Sequence, residues 1–204
     1  MKKNKTIFLT GGAEYVGSVL VKKLLQNNYK VIVLDTFWFA PTSIFDDYPN
    51  KKLLTIYKGD MRNYTLISDI FKNNNIDVVI NLAAVSNDPC SELNPIITRE
   101  INLDATINLI DTAKKWGVKR FITASSSSVY GVKKESEVKE DMKLEPITLY
   151  AKYKAEIEKY LKEKNDNNFT TVAIRSATVF GPSPRMRLDL TVNMLTAQAA
   201  ETKK

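Results

Sequence analysis

The chain has 204 residues, 44% of them hydrophobic, which is enough for one well-buried domain and short for two. It has no histidine and one cysteine, Cys90, which excludes an internal disulfide, the usual zinc sites and any Ser-His or Cys-His nucleophile, so no metal is expected. The net charge of +7 comes from lysines spread along the chain, the pattern of solvated helix faces and not of a nucleic-acid surface, and no apolar run reaches the length of a membrane span.

In chain order, Thr6-Ile7-Phe8-Leu9 reads as a strand and leads into the turn Thr10-Gly11-Gly12-Ala13-Glu14-Tyr15-Val16-Gly17. Val16, Val19, Leu20, Val21, Leu24 and Leu25 then recur at helical spacing. A strand, a glycine turn and a helix form the unit that sets backbone N–H groups and a helix N-terminus against a pyrophosphate. Glu14 stands where a middle glycine lets the backbone approach the phosphates. Its Cβ is expected to crowd that approach and its charge to oppose the anion. Like charges about 4 Å apart at an effective dielectric of 20 repel by roughly 4 kcal/mol.

Val31-Ile32-Val33-Leu34 is the second strand and ends at Asp35; the third covers 53–57 and ends at Gly59-Asp60-Met61. A helix over 64–71 and a strand over 78–80 follow. Asn94-Pro95 opens a long helix carrying Ile97, Ile101, Ala105, Leu109 and Ile110, which closes near Gly117. Phe121-Ile122-Thr123-Ala124 is a strand, Pro146 starts a helix running to about Lys164, and Thr171-Val172-Ala173-Ile174 is the last strand. After Gly181-Pro182-Ser183-Pro184 there is one more helix-like stretch, running into Glu201-Thr202-Lys203-Lys204. The alternation predicts an α/β fold: a Rossmann-like, doubly wound parallel sheet of apolar strands with helices on both faces. The charged start Met1-Lys2-Lys3-Asn4-Lys5 has no signal-peptide core, and with a single cysteine the expected setting is a reducing cytoplasm, not a membrane.

In such a fold ligands sit beyond the carboxyl ends of the strands. A carboxylate at Asp35 can accept hydrogen bonds from both ribose hydroxyls of an adenosine and repels a 2′-phosphate; no Arg or Lys follows in Thr36-Phe37-Trp38-Phe39, so NAD is favoured over NADP. A strand-ending Asp that caps a turn is the plainer reading, but its distance beyond the glycine turn favours the cofactor role. Asp60 is a weaker candidate for the adenine, since Gly-Asp is common turn chemistry. Spacing alone does not select an acid–base tyrosine, because Tyr48, Tyr130, Tyr150 and Tyr160 all have Lys four residues later. Position selects Tyr150 and Lys154, one turn apart on a helix that follows the polar run Ser125-Ser126-Ser127-Ser128-Val129-Tyr130-Gly131. An ammonium beside the phenol is expected to lower its pKa.

Together the 10–17 turn, Asp35, Asn81-Leu82-Ala83-Ala84, the 125–131 segment, Tyr150-x-x-x-Lys154 and Arg175-x-x-x-Val179-Phe180-Gly181-Pro182 resemble the extended short-chain dehydrogenase/reductase family. That family contains the NAD-dependent nucleotide-sugar epimerases and dehydratases. The resemblance implies NAD as cofactor and a cradle of Gly11, Gly12, Tyr15, Val16, Gly17, Asp35, Asp60, Met61, Leu82, Ala83 and Ala84, with Asn102 near the site. It implies Tyr150 as acid/base, Lys154 on the nicotinamide ribose and Ser126 polarising the substrate hydroxyl. Ser127, Thr178, Arg185 and Asn193 would then face a nucleotide-sugar, with Arg187 near its diphosphate. Family dehydratases carry an Asp-Glu pair after the catalytic hydroxyl residue; Ser127 and Ser128 stand there, which favours epimerisation or reduction over water elimination. The resemblance also implies a homodimer through the helices over 94–116 and 146–164. Residues 1–181 are expected to form the NAD-binding domain, and 182–204 the start of a substrate region that is largely absent. A non-catalytic dinucleotide-fold binding module or a decayed enzyme is the alternative, motivated by Glu14 and by the expected missing C-terminal part.

Overall fold

The computed structural model describes residues 5–86 and 88–202, so the charged start 1–4 and the lysines at 203 and 204 lie outside the described residues. Six strands form one parallel sheet: β1 (Thr6–Thr10), β2 (Lys30–Asp35), β3 (Leu54–Lys58), β4 (Val78–Asn81), β5 (Arg120–Ala124) and β6 (Thr170–Ile174). Their spatial order is β3-β2-β1-β4-β5-β6, which reverses direction between β1 and β4 and so opens a crevice at the carboxyl ends of those two strands. The doubly wound sheet is the one that the sequence predicts.

Alternate side chains of the central strands point to opposite faces, and each face has its own core. Phe8, Ile32, Val79 and Phe121 pack on one side with Leu109, Ile110, Ile157 and Leu161. These come from helices α5 (Thr106–Lys115) and α6 (Leu149–Lys164). Ile7, Leu9, Val31 and Val33 pack on the other with Val21 and Leu25 of α1 (Tyr15–Gln26) and with Phe45. The edge strands depart from the expectation of uniformly apolar burial: β3 and β6 have no fully buried residue, and Val172 and Ile174 of β6 are exposed.

Three local differences from the sequence reading matter for the site. The 146–164 helix begins at Leu149, capped by Thr148, whose hydroxyl oxygen accepts from the Ala151 N–H at 3.2 Å; Pro146 lies ahead of the cap. A short helix, α3 (Asp88–Leu93), precedes the long one. The long helix itself runs as α4 (Pro95–Arg99), a π-helical stretch over Glu100–Ala105, and then α5. The remaining helices are α2 (Tyr64–Asn73) and α7 (Thr191–Thr202). Among the described residues no helix is long and apolar enough to cross a membrane.

Candidate active site

The turn between β1 and α1 is built by backbone contact. A Cβ on Gly17 would lie 2.0 Å from the Gly11 carbonyl oxygen, and one on Gly11, at φ +74°, would lie 2.7 Å from the Ala83 N. Turn, α1 and the Leu82-Ala83-Ala84 segment after β4 are therefore locked together, with Val16 exposed in the first turn of α1. Asp35 is buried at the end of β2, where one carboxylate oxygen accepts from the Ala13 N–H at 2.9 Å and the other from the Phe37 N–H at 2.8 Å. Asp35 thus caps the turn, and each of its oxygens keeps a further lone pair. Asp60 is engaged by the Arg62 guanidinium, which donates to both of its oxygens and also to Glu100. Met61 beside it is buried.

Glu14 is the N-cap residue of α1, with extended backbone (φ −89°, ψ −178°), so its main chain demands no glycine. Its carboxylate lies 3.5 Å from the Arg185 Nε, and the Arg185 guanidinium stacks on Phe39 at 5.0 Å. Burial and then Asp35 raise the Glu14 pKa, while Arg185 and Arg187 pull it back. Sequence spacing places no cation near the end of β2; the chain returns one from 150 residues later (185 − 35 = 150). A cleft of about 570 Å³ lies between residues 39–44 and 184–189, walled by Phe39, Pro41, Ile44, Arg185, Met186 and Leu188.

At the ends of β5 and β6 the serine run turns toward α6. The Ser126 hydroxyl oxygen accepts from the Ser128 N–H at 3.2 Å and from the Ser128 hydroxyl at 2.9 Å, while Ser127 is exposed. Tyr150 and Lys154 share a face of α6, with the Lys154 Nζ 5.5 Å from the centre of the Tyr150 ring. Lys154 is 7% exposed, donates at 2.7 Å to the Ala124 carbonyl, and burial draws its pKa down to about 8. The expectation that Lys154 lowers the phenol is not met. Burial and then the Asp88 charge raise the Tyr150 pKa, against a smaller lowering by a Ser126 hydrogen bond and by Arg187. The ammonium donates to the Ala124 carbonyl and lies 5.5 Å from the centre of the Tyr150 ring.

Asp88 reaches this point on α3, the element missed by sequence reading. It accepts from the Thr148 hydroxyl at 2.6 Å, and Glu92 of the same helix accepts from the Leu149 N–H at 3.2 Å, so α3 caps α6 with two carboxylates. An Asp followed by Pro89 was the available signal for its start. The other three Tyr–Lys pairs are structural: Tyr48 donates to Ser18 O, Tyr130 accepts from Arg175, and Tyr160 donates to Asp111.

Several residues assigned to ligands by resemblance are held by protein groups. Asn102, in the π-helical stretch, donates to the Val85 carbonyl at 3.0 Å and accepts from the Val85 N–H at 2.8 Å, pinning the loop after β4. Tyr15 donates to Gly181 O at 2.7 Å, and Asn193 donates to the Tyr15 hydroxyl and to Arg187 O while accepting from the Gly181 N–H. Tyr15 and Asn193 therefore strap the segment after β6 onto α1. Arg187 pairs with Asp189, and Thr178 is exposed in the stretch that leads to the strap. Among the described residues no group of His, Cys, Asp or Glu could hold a metal ion.

Comparison with known proteins agrees with this fold. A family model described as "NAD dependent epimerase/dehydratase family" matches residues 7–203. The UDP-glucose 4-epimerase of Bacillus subtilis (strain 168) is 30% identical over 186 residues, covering 89% of this chain and 55% of that protein. The structure of a UDP-N-acetylglucosamine 4-epimerase from Methanobrevibacter ruminantium M1, in complex with UDP-N-acetylmuramic acid, superposes with a TM-score of 0.82 at 31% identity, covering 93% of this chain and 59% of that one. The Thermus thermophilus UDP-glucose 4-epimerase in complex with NAD gives a TM-score of 0.83 at 26% identity, covering 95% and 61%. The chain thus spans about half the length of the curated relatives it matches.

Proposed function

The chain belongs to the NAD-dependent epimerase/dehydratase family, and from that premise we propose that it is an NAD-using site for nucleotide-sugar epimerisation, with Tyr150 as its acid/base. The observation that carries the reading is the meeting of Ser126, Tyr150 and Lys154 beyond β5, on the same sheet edge as the glycine turn and Asp35. The cradle fits a dinucleotide at Gly11 and Gly17, where a side chain would collide with backbone, and at the buried Asp35. Gly12, Val16 and Leu82-Ala83-Ala84 would line it, Met61 would flank the adenine, and Asp35 would take the ribose hydroxyls. Asp60, Tyr15 and Asn102 would border the cofactor, and Asn193 the substrate, each held by the protein contacts described.

When bound, NAD supplies a hydride acceptor that can return the hydride to the same carbon. Ser126 would hold the oxygen of the sugar hydroxyl, and ionised Tyr150 would take its proton at Oη and give it back after the keto stage. Lys154 would hold the nicotinamide ribose with the protons not given to Ala124. Ser127, Thr178, Arg185 and Arg187 would face the nucleotide-sugar. UDP-sugars are the substrates to try, from the names of the relatives. A homodimer through the helix pair 94–116 and 146–164 belongs to the same reading. Glu14 favours a second reading, a dinucleotide-fold module without turnover, because it places a carboxylate at the α1 N-terminus.

The test is incubation with NAD and UDP-glucose and detection of the 4-epimer by NMR. We expect product from the unmodified chain, none from Tyr150→Phe, and nearly equal NAD affinity in the two. Equal turnover in Tyr150→Phe would overturn the assignment, and absence of product from a chain that binds NAD would favour the module.

A further inference from the structure

Lys154 is a buried ammonium whose charge must be maintained if it is to hold an anionic or hydroxyl-rich ligand. One turn further along the same face of α6 stands Glu158, and its charge opposes the fall in the Lys154 pKa that burial causes. Its side chain is 9% exposed and fully engaged. The Arg175 guanidinium clasps it from the end of β6, Nε at 3.0 and 3.1 Å from its two oxygens and Nη2 at 2.7 Å. The Ser125 hydroxyl donates to the same carboxylate. Ser125 stands between Ala124, whose carbonyl receives Lys154, and Ser126, the hydroxyl beside Tyr150. One carboxylate therefore ties the helix that bears the tyrosine and lysine to the strand end that bears the serine.

We propose that Glu158 is a positioning residue, which keeps Lys154 charged and fixes Ala124 and Ser126 against it, with Arg175 setting how much of the Glu158 charge the lysine experiences. It acts through Lys154 and Ser125, and the inference rests on the reading above only for what Lys154 holds.

Acidic groups on the elements packed against α6 have partners of their own. Asp88 of α3 bonds Thr148 and, with Arg187, acts on Tyr150. Glu92 of α3 takes the Leu149 N–H, Asp111 of α5 takes Tyr160 and Lys164, and Glu100 of the π-helical stretch takes Arg62. The remaining Arg175 nitrogen, Nη1, donates to the Tyr130 hydroxyl and the Glu140 carbonyl, both at 2.8 Å.

If the Glu158–Arg175 pair were only a brace between α6 and β6, removing it would lower the melting temperature and leave the lysine titration alone. The experiment is an NMR titration of the full chain labelled with 13C at lysine Cε, the Lys154 signal assigned by its loss in Lys154→Met. We expect a midpoint near 8 in the unmodified chain. Glu158→Gln keeps an acceptor for Ser125 but loses the charge, and should move the midpoint down by about one unit. Arg175→Gln removes the opposing cation and should move it up. The opposite signs leave one variant to decide if the other does not fold. An unchanged midpoint in a folded variant, or movement in the same direction in both, overturns the proposal. The titration is read without NAD or sugar, so its failure is distinct from a failure of the epimerase reading, which shows as absent binding or turnover.

Discussion

Lys154 destabilises the fold it serves. Its folded pKa of about 8 lies below the ordinary value of 10.5, so the unfolded chain binds the extra proton between those limits and stability rises with pH across them. The shift corresponds to about 3 kcal/mol against the charged form at neutral pH. Loss of the hydrogen bond to Ala124 offsets about 1 kcal/mol of that in a variant. Lys154→Met is therefore expected to be more stable than the unmodified chain by ~2 kcal/mol at pH 7 in urea denaturation, with the advantage gone above pH 10.5. A variant less stable at pH 7 would show that the ammonium is better solvated than its burial indicates. Gly17 is the opposite kind of residue, required by shape alone. Its Cβ would meet the Gly11 carbonyl oxygen at 2.0 Å, a backbone contact that no side-chain rotation relieves. Gly17→Ala should lose more than about 2 kcal/mol in the same denaturation series, as overpacking against rigid surroundings does.

At the level of elements, α3 brings a charge to the candidate base and the π-helical stretch pins the loop after β4. The Asp88 charge helps to raise the Tyr150 pKa, so turnover should increase with pH through the neutral range, and Asp88→Asn should move that rising limb to lower pH. A limb that stays in place would remove Asp88 from the account of Tyr150. Asn102→Ala leaves both backbone groups of Val85 without their partner and should cost roughly 1–3 kcal/mol, with faster amide exchange at Val85. The parallel sheet and the helices α1, α2, α5 and α6 were legible in the sequence because apolar periodicity and glycine position are local signals. The π-helical stretch was not, since its residues Glu100–Ala105 keep helical spacing and only a side chain bonded 17 residues away marks it. That Tyr150 and Lys154 share a face of α6 was legible by spacing, but the direction of the Tyr150 shift was not. It depends on where the ammonium points and on a carboxylate from another helix. Glu14 read as damage, because its neutralising partner Arg185 follows 171 residues later (185 − 14 = 171).

Across the whole molecule, the described surface is unevenly finished. Val172, Ile174, Val179, Phe180, Leu188 and Leu195 are exposed along β6 and the segment beyond it, and Leu93 and Ile96 project at the junction of α3 and α4. Sedimentation equilibrium should find a dimer that Ile96→Glu weakens; an unmodified monomer would remove the homodimer from the reading. The central claim is that the site takes NAD although Glu14 occupies the turn. The ion pair with Arg185 and the partly exposed carboxylate leave only a fraction of the repulsion between bare charges. The most direct measurement is calorimetric titration of NAD into the unmodified chain beside Glu14→Gly. We expect both to bind, the variant about tenfold more tightly, equivalent to about 1.4 kcal/mol. A folded unmodified chain that fails to bind, whether or not Glu14→Gly binds, would contradict the claim.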